Sequence, residues 1–100
     1  MKALLISPET QQIEQIEIAG VDDITALIGF DTLESDSIGA QGDHLYFDEE
    51  CFLRGTAGRF QIDKLIPVSG KGVIVGTAAD GSLQDVTSTI DELQSRIKYL

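Results

Sequence analysis

Two side chains in this sequence react near neutral pH, and each is the single representative of its type among 100 residues: His44 and Cys51. A thiol beside an imidazole is the start of a nucleophilic pair, because the ring can take the thiol proton and leave a thiolate. That chemistry also needs a group to orient the ring and donors for an oxyanion, and the sequence offers neither. Cys51 stands between Glu50 and Phe52, the setting of a small half-buried hydrophobe in a strand. The His44/Cys51 region is therefore an alternative site only, for an enzyme or a small-ligand binder.

The second alternative is the glycine-rich stretch Gly70 to Gly76. Gly70-Lys71-Gly72 has the flavour of a phosphate loop, but a Walker loop needs four residues between its first glycine and Gly-Lys, then Ser or Thr. It also needs a helix N-terminus behind it, and these glycines lead into a strand. Glycine chosen for turn geometry and close packing is the simpler account. Asp43, His44, Asp48, Glu49 and Glu50 could be drawn as a metal site, and Asp31, Glu34 and Asp36 as a calcium loop, but neither set has a ligand spacing that such sites use. One cysteine and one histidine leave no disulfide framework and no Cys/His zinc set. No catalytic residue, cofactor or metal is assigned.

Charge is the feature that departs from the ordinary. Seventeen acids against seven bases give a net charge of −10. Residues 1–50 alone carry −11, and no Lys or Arg stands between Lys2 and Arg54. Such a field repels phosphate backbones and attracts basic protein surfaces. The candidate acidic interaction surface is Glu14, Glu17, Asp22, Asp23, Asp31, Glu34, Asp36, Asp48, Glu49 and Glu50. Direct nucleic-acid binding is not expected. Nor is a membrane span or a signal peptide, since no 18 apolar residues run together and ALLI is cut short at Ser7-Pro8. A cytoplasmic setting follows from the same features.

These residues must be held by elements that the pattern largely spells out. KALLIS (2–7) reads as a strand buried on both faces and closed by Pro8. QIEQIEI (12–18) alternates and should pair back on it with one wet side. After Gly20, Asp22-Asp23 head a short helix near 22–28, with Gly29 to end it. Phe30 to Ala40 permits a polar edge strand. Asp43 to Leu53 reads as a hairpin, LYF and CFL on either side of Asp48-Glu49-Glu50, which would put His44 and Cys51 on opposite arms. Phe60 to Leu65 alternates as a short strand. The centre is Leu65 to Asp85, where the β-branched run GVIVGTA is turned back by Asp80-Gly81. Thr89 and Glu92 have capping-box spacing for a C-terminal helix near 88–99, with Ile90, Leu93, Ile97 and Leu100 as its stripe.

Taken together, MKALLISPE at the start, LYFDEECFLRG in the middle, GKGVIVGTAADGSLQDVT and a short terminal helix resemble a family of small uncharacterised α+β proteins encoded by phages, plasmids and other mobile elements. The resemblance covers nearly the whole chain. This sequence departs from the family pattern at Cys51, where a glycine commonly follows the two acids. What the resemblance implies is an α+β fold and an accessory role, with no activity or site to carry over.

The expected architecture is one α+β domain over 1–100, a mostly antiparallel sheet of five or six strands with two helices. Its expected core is Leu4, Ile6, Ile16, Leu27, Leu45, Phe47, Phe52, Val73, Val75 and Leu93. The expected function is that of a small acidic non-enzymatic interaction protein docking on a basic partner, with imitation of nucleic acid as the narrower form of that reading, as a monomer or weak homodimer.

Overall fold

The run Val73-Ile74-Val75 is β-branched throughout, which favours extended backbone, and apolar throughout, which demands cover on both faces. A computed structural model, which describes residues 1–39 and 41–100, places it at the centre of the molecule. In chain order the strands and helices are β1 (Lys2–Ser7), β2 (Gln12–Glu17), α1 (Val21–Ile28), β3 (Leu33–Ser37), β4 (Asp43–Asp48), β5 (Arg59–Ile62), β6 (Val68–Ser69), β7 (Gly72–Thr77), β8 (Leu83–Gln84), α2 (Ile90–Gln94) and β9 (Ile97–Tyr99). The main sheet runs β2-β1-β7-β4-β3, with β8 also paired to β7, and a second sheet runs β6-β5-β9. Every strand pair among the described residues is antiparallel.

Because successive side chains alternate between faces, β7 serves two cores at once. Val73 and Val75 join Ala3, Leu5, Ile24 and Ile28 under α1. Ile74 joins Leu4, Ile6, Leu45, Phe47, Phe60 and Leu93 under the second sheet and α2. The glycines at either side of Ile74 make the second core possible. A Cβ on Gly72 would lie 2.7 Å from the Phe60 ring, and one on Gly76 would lie 2.5 Å from the Asp85 carbonyl oxygen. Phe60 of the second sheet thus sits in the notch at Gly72, and the chain leaving β8, which pairs with β7 in the main sheet, passes close over Gly76.

The structure departs from the single expected sheet of five or six strands by adding a second sheet of three, whose strand β5 ends at Ile62, and it departs from expectation in three local places as well. The expected hairpin Asp43 to Leu53 has only its first arm: β4 stops at Asp48, and Cys51–Leu53 is a 3₁₀ turn. No position with positive φ is on offer at Asp48-Glu49-Glu50, and the Asp48 carboxylate instead accepts the Glu50 amide at 3.0 Å, which coils the chain. In that turn Cys51 is buried and Phe52 is 51% exposed, the reverse of the expected core position. The C-terminal helix is α2 alone, because Ser95 caps it and Ile97–Tyr99 pairs with β5 as a strand. Ile97 therefore reaches the core from β9 and Leu100 is exposed. Finally, Gly20 rather than an aspartate is the N-cap of α1, while Asp23 accepts the Ala19 amide at 2.6 Å from inside the first turn. Gly29 ends α1 in the left-handed region. The edge strand expected over Phe30 to Ala40 is Leu33–Ser37, and Ala40 lies outside the described residues.

Val75 is fully buried, so Val75→Ala should cost about 1–3 kcal/mol in urea unfolding. Gly76→Ala should cost about as much by overpacking, since the atom in the way is backbone. Gly39→Ala, with nothing within 4 Å of its added methyl, should change stability by less than about 0.5 kcal/mol.

Candidate functional site

The strand register decides which of the ten carboxylates of the candidate interaction surface meet. Leu5 opposes Glu14 and Lys2 opposes Glu17, so these two acids lie on opposite faces of β2, one edge of the main sheet. Phe47 opposes Glu34 and Leu45 opposes Asp36, so this pair shares one face of β3, the other edge. Four inter-strand spacings separate the edges, about 19 Å. Asp22 and Asp23 are exposed in the first turn of α1, over the middle of the sheet. The ten residues are therefore not one patch. The nearest thing to a continuous row is on the β3 side, where the Glu49 amide bonds the Thr32 carbonyl and so brings the Glu49 turn beside Asp31, with Glu34 and then Asp36 following along β3 opposite Phe47 and Leu45.

Asp48 belongs to that neighbourhood by position but not by role. It is buried and accepts the Thr32 hydroxyl, the Glu50 amide and the Arg54 Nε at 3.0 Å. Arg54 in turn lies 3.3 Å from Glu50 and stacks 4.3 Å from the centroid of Phe30. Burial pushes the Asp48 carboxyl up, but the Thr32, Glu50 and Arg54 donors outweigh it and hold it below the ordinary carboxylate range. Arg54 as the partner that neutralises this corner was not foreseen; its six-residue distance from Asp48 carries no motif.

A second buried carboxylate is a structural element that no local sequence signal marks. Asp43, at the start of β4, accepts the Thr87 amide at 2.9 Å and the Ser88 amide and hydroxyl at 2.8 and 2.6 Å. Burial raises its pKa, and the hydroxyl and two amides lower it by more, so it too titrates below the ordinary range. Asp43 fastens the crossing that follows β8 and sets the start of α2, where the Thr89 hydroxyl caps the Glu92 amide at 3.1 Å.

The reactive pair does not form. His44 is near the start of β4 and Cys51 is beyond its end, so they lie at opposite ends of one strand. The Cys51 thiol is buried and accepts the Ser69 amide at 3.4 Å. Among the described residues no three His, Cys, Asp or Glu side chains converge as metal ligands. Gly72 and Gly76 serve packing, as above. Gly70 and Lys71 instead border a cleft of about 380 Å³ at the end of the sheet where β1 turns into β2 and β7 begins.

Comparison with protein-family models, curated proteins and solved structures gives no match. Among the described residues, no helix is long and apolar enough to cross a membrane.

Both buried aspartates are charged in the fold at pH values where they would take up protons when unfolded, so each stabilises the protein at neutral pH and loses that contribution as pH falls through and below about 4. Asp43→Asn should flatten this acid limb when unfolding free energy is measured against pH. At pH 7 the same variant should cost about 1.5–3 kcal/mol through its weakened bonds to Thr87 and Ser88.

Proposed function

We propose that the chain is a small non-enzymatic accessory protein of the mobile-element type, acting in the cytoplasm by docking an acidic edge on the basic surface of a partner protein. The observation that carries this reading is the row Asp31, Glu34, Asp36 and Glu49, which lies along the β3 side with no basic side chain within ion-pair distance of it among the described residues. Arg54, the cation nearest in sequence, is already taken by Asp48 and Glu50. Unpaired carboxylates of one sign raise the association rate with an oppositely charged surface and fix its orientation.

Acids on β2 and β3 also have a self-protective effect. Exposed strand edges invite pairing with other chains, and like charges along both edges oppose it. This supports a monomer or weak homodimer. Glu14 and Glu17 lie on opposite faces of β2, about 19 Å from the β3 acids, so the ten carboxylates do not share the one face on which the mimicry version rests, and the proposal is docking alone.

Cross-linking in host cells, followed by recovery of the tagged protein, tests the reading. A basic partner should be recovered with the wild type, should dissociate as salt is raised, and should be lost with Glu34→Gln/Asp36→Asn while surviving Glu14→Gln/Glu17→Gln. Recovery of no basic partner, or of one indifferent to both double variants, would contradict it.

A further inference from the structure

The cleft beside Gly70 has walls of three kinds. Pro8, Leu27 and Ile28 give it an apolar side, Glu9 supplies a carboxylate, and Lys71 supplies an ammonium. Its loops are tied in place. Gly58, at φ 81°, lets the segment after the 3₁₀ turn run against the β1–β2 turn so closely that a Cβ there would be 2.6 Å from the Glu9 nitrogen. The Gly70 amide bonds the Gly58 carbonyl at 3.0 Å, and the Thr56 and Ser69 hydroxyls meet at 3.0 Å. A cavity of this volume with an apolar wall and a few polar groups on a fixed frame has the character of a small-molecule site.

The charges select the ligand. A simple anion would find Lys71 but also Glu9 and a protein of net −10. A simple cation would find Glu9 but also Lys71. Lys71 has no carboxylate within ion-pair distance among the described residues, and neither does Glu9 have a cation. A molecule carrying both charges on a small apolar body satisfies each wall at once. We infer that this cleft binds a free α-amino acid with an aliphatic side chain, its carboxylate at Lys71, its ammonium at Glu9 and its side chain against Pro8, Leu27 and Ile28. The site shares no residue with the β3 edge, so it stands or falls apart from the docking proposal.

The test is a titration of isotopically labelled protein with L-leucine, followed by backbone amide chemical shifts. N-acetyl-L-leucine, which lacks the ammonium, L-leucinamide, which lacks the carboxylate, and glycine, which lacks the side chain, are titrated in parallel. Leucine should give saturable shifts centred on residues 7–10, 27–28, 56–57 and 70–71, and each of the other three should bind at least about tenfold more weakly. Lys71→Gln should abolish the difference between leucine and leucinamide, and Glu9→Gln the difference between leucine and its N-acetyl form. Both side chains are exposed, so the variants should keep the wild-type spectrum elsewhere; if either does not, the analogue series on the wild type decides alone. No saturable shift with millimolar leucine, shifts centred elsewhere, or equal binding of the analogues would overturn the inference.

Discussion

The close approach of a second layer to one face of β7 is the constraint on which the rest of the fold depends. A central strand buried on both sides must be apolar on both, yet two layers cannot come equally near if every position carries a branched side chain. Alternating glycine with isoleucine on one face resolves this. Ile74 fills the space between the notches, Phe60 enters at Gly72, and the backbone of Gln84–Asp85 passes over Gly76. The valines on the other face meet a helix, whose side chains interdigitate without needing the backbone to come closer. One strand thereby sets the positions of the second sheet, of the crossing into α2 and of α1.

Carboxylates then divide by depth into two roles. Asp43 and Asp48, at the two ends of β4, are buried and surrounded by donors, so they act as fasteners for the Thr87–Ser88 crossing and for the Thr32–Arg54 corner. The remaining acids of the first half stand at the sheet edges, on α1 and in turns. The same residue type that holds loops from within also lines both edges of the main sheet, where the proposed docking would use it. The excess of acids over bases in residues 1–50 therefore has a structural part and a surface part.

How much of this could be read from the chain varied with the range of the interaction. Local signals served well: Gly29 ends α1, Thr89 caps α2, Asp80-Gly81 turns the chain after β7, and the both-faces burial of KALLIS was visible in its composition. What escaped were decisions made by distant partners. Cys51–Leu53 looked like a strand because CFL is apolar, but Asp48 is claimed by Thr32, sixteen residues earlier, and the chain coils behind it. Ile97 and Leu100 matched a helical stripe, whereas the pairing of Lys98 with Gln61, and the Arg96 contacts with Asp63 and the Ile38 carbonyl, draw that segment into a sheet. For the acidic surface, residue types were legible and their distribution was not, since two edges of one sheet are far apart in space whatever their spacing in sequence. The cleft was invisible because its charged walls come from segments sixty residues apart.

Native-state hydrogen exchange tests the central claim most directly, because it reports which elements open together. If β7 and its notches organise the fold, the amides of Val73, Ile74 and Val75 should exchange only through global unfolding, and Gly72→Ala, whose added methyl meets the Phe60 ring, should release the protection of β5, β9 and α2 before that of β1 and β4. Contradiction would come from a second sheet that keeps its protection in Gly72→Ala, or from β7 amides that exchange faster than those of the edge strands β2 and β3.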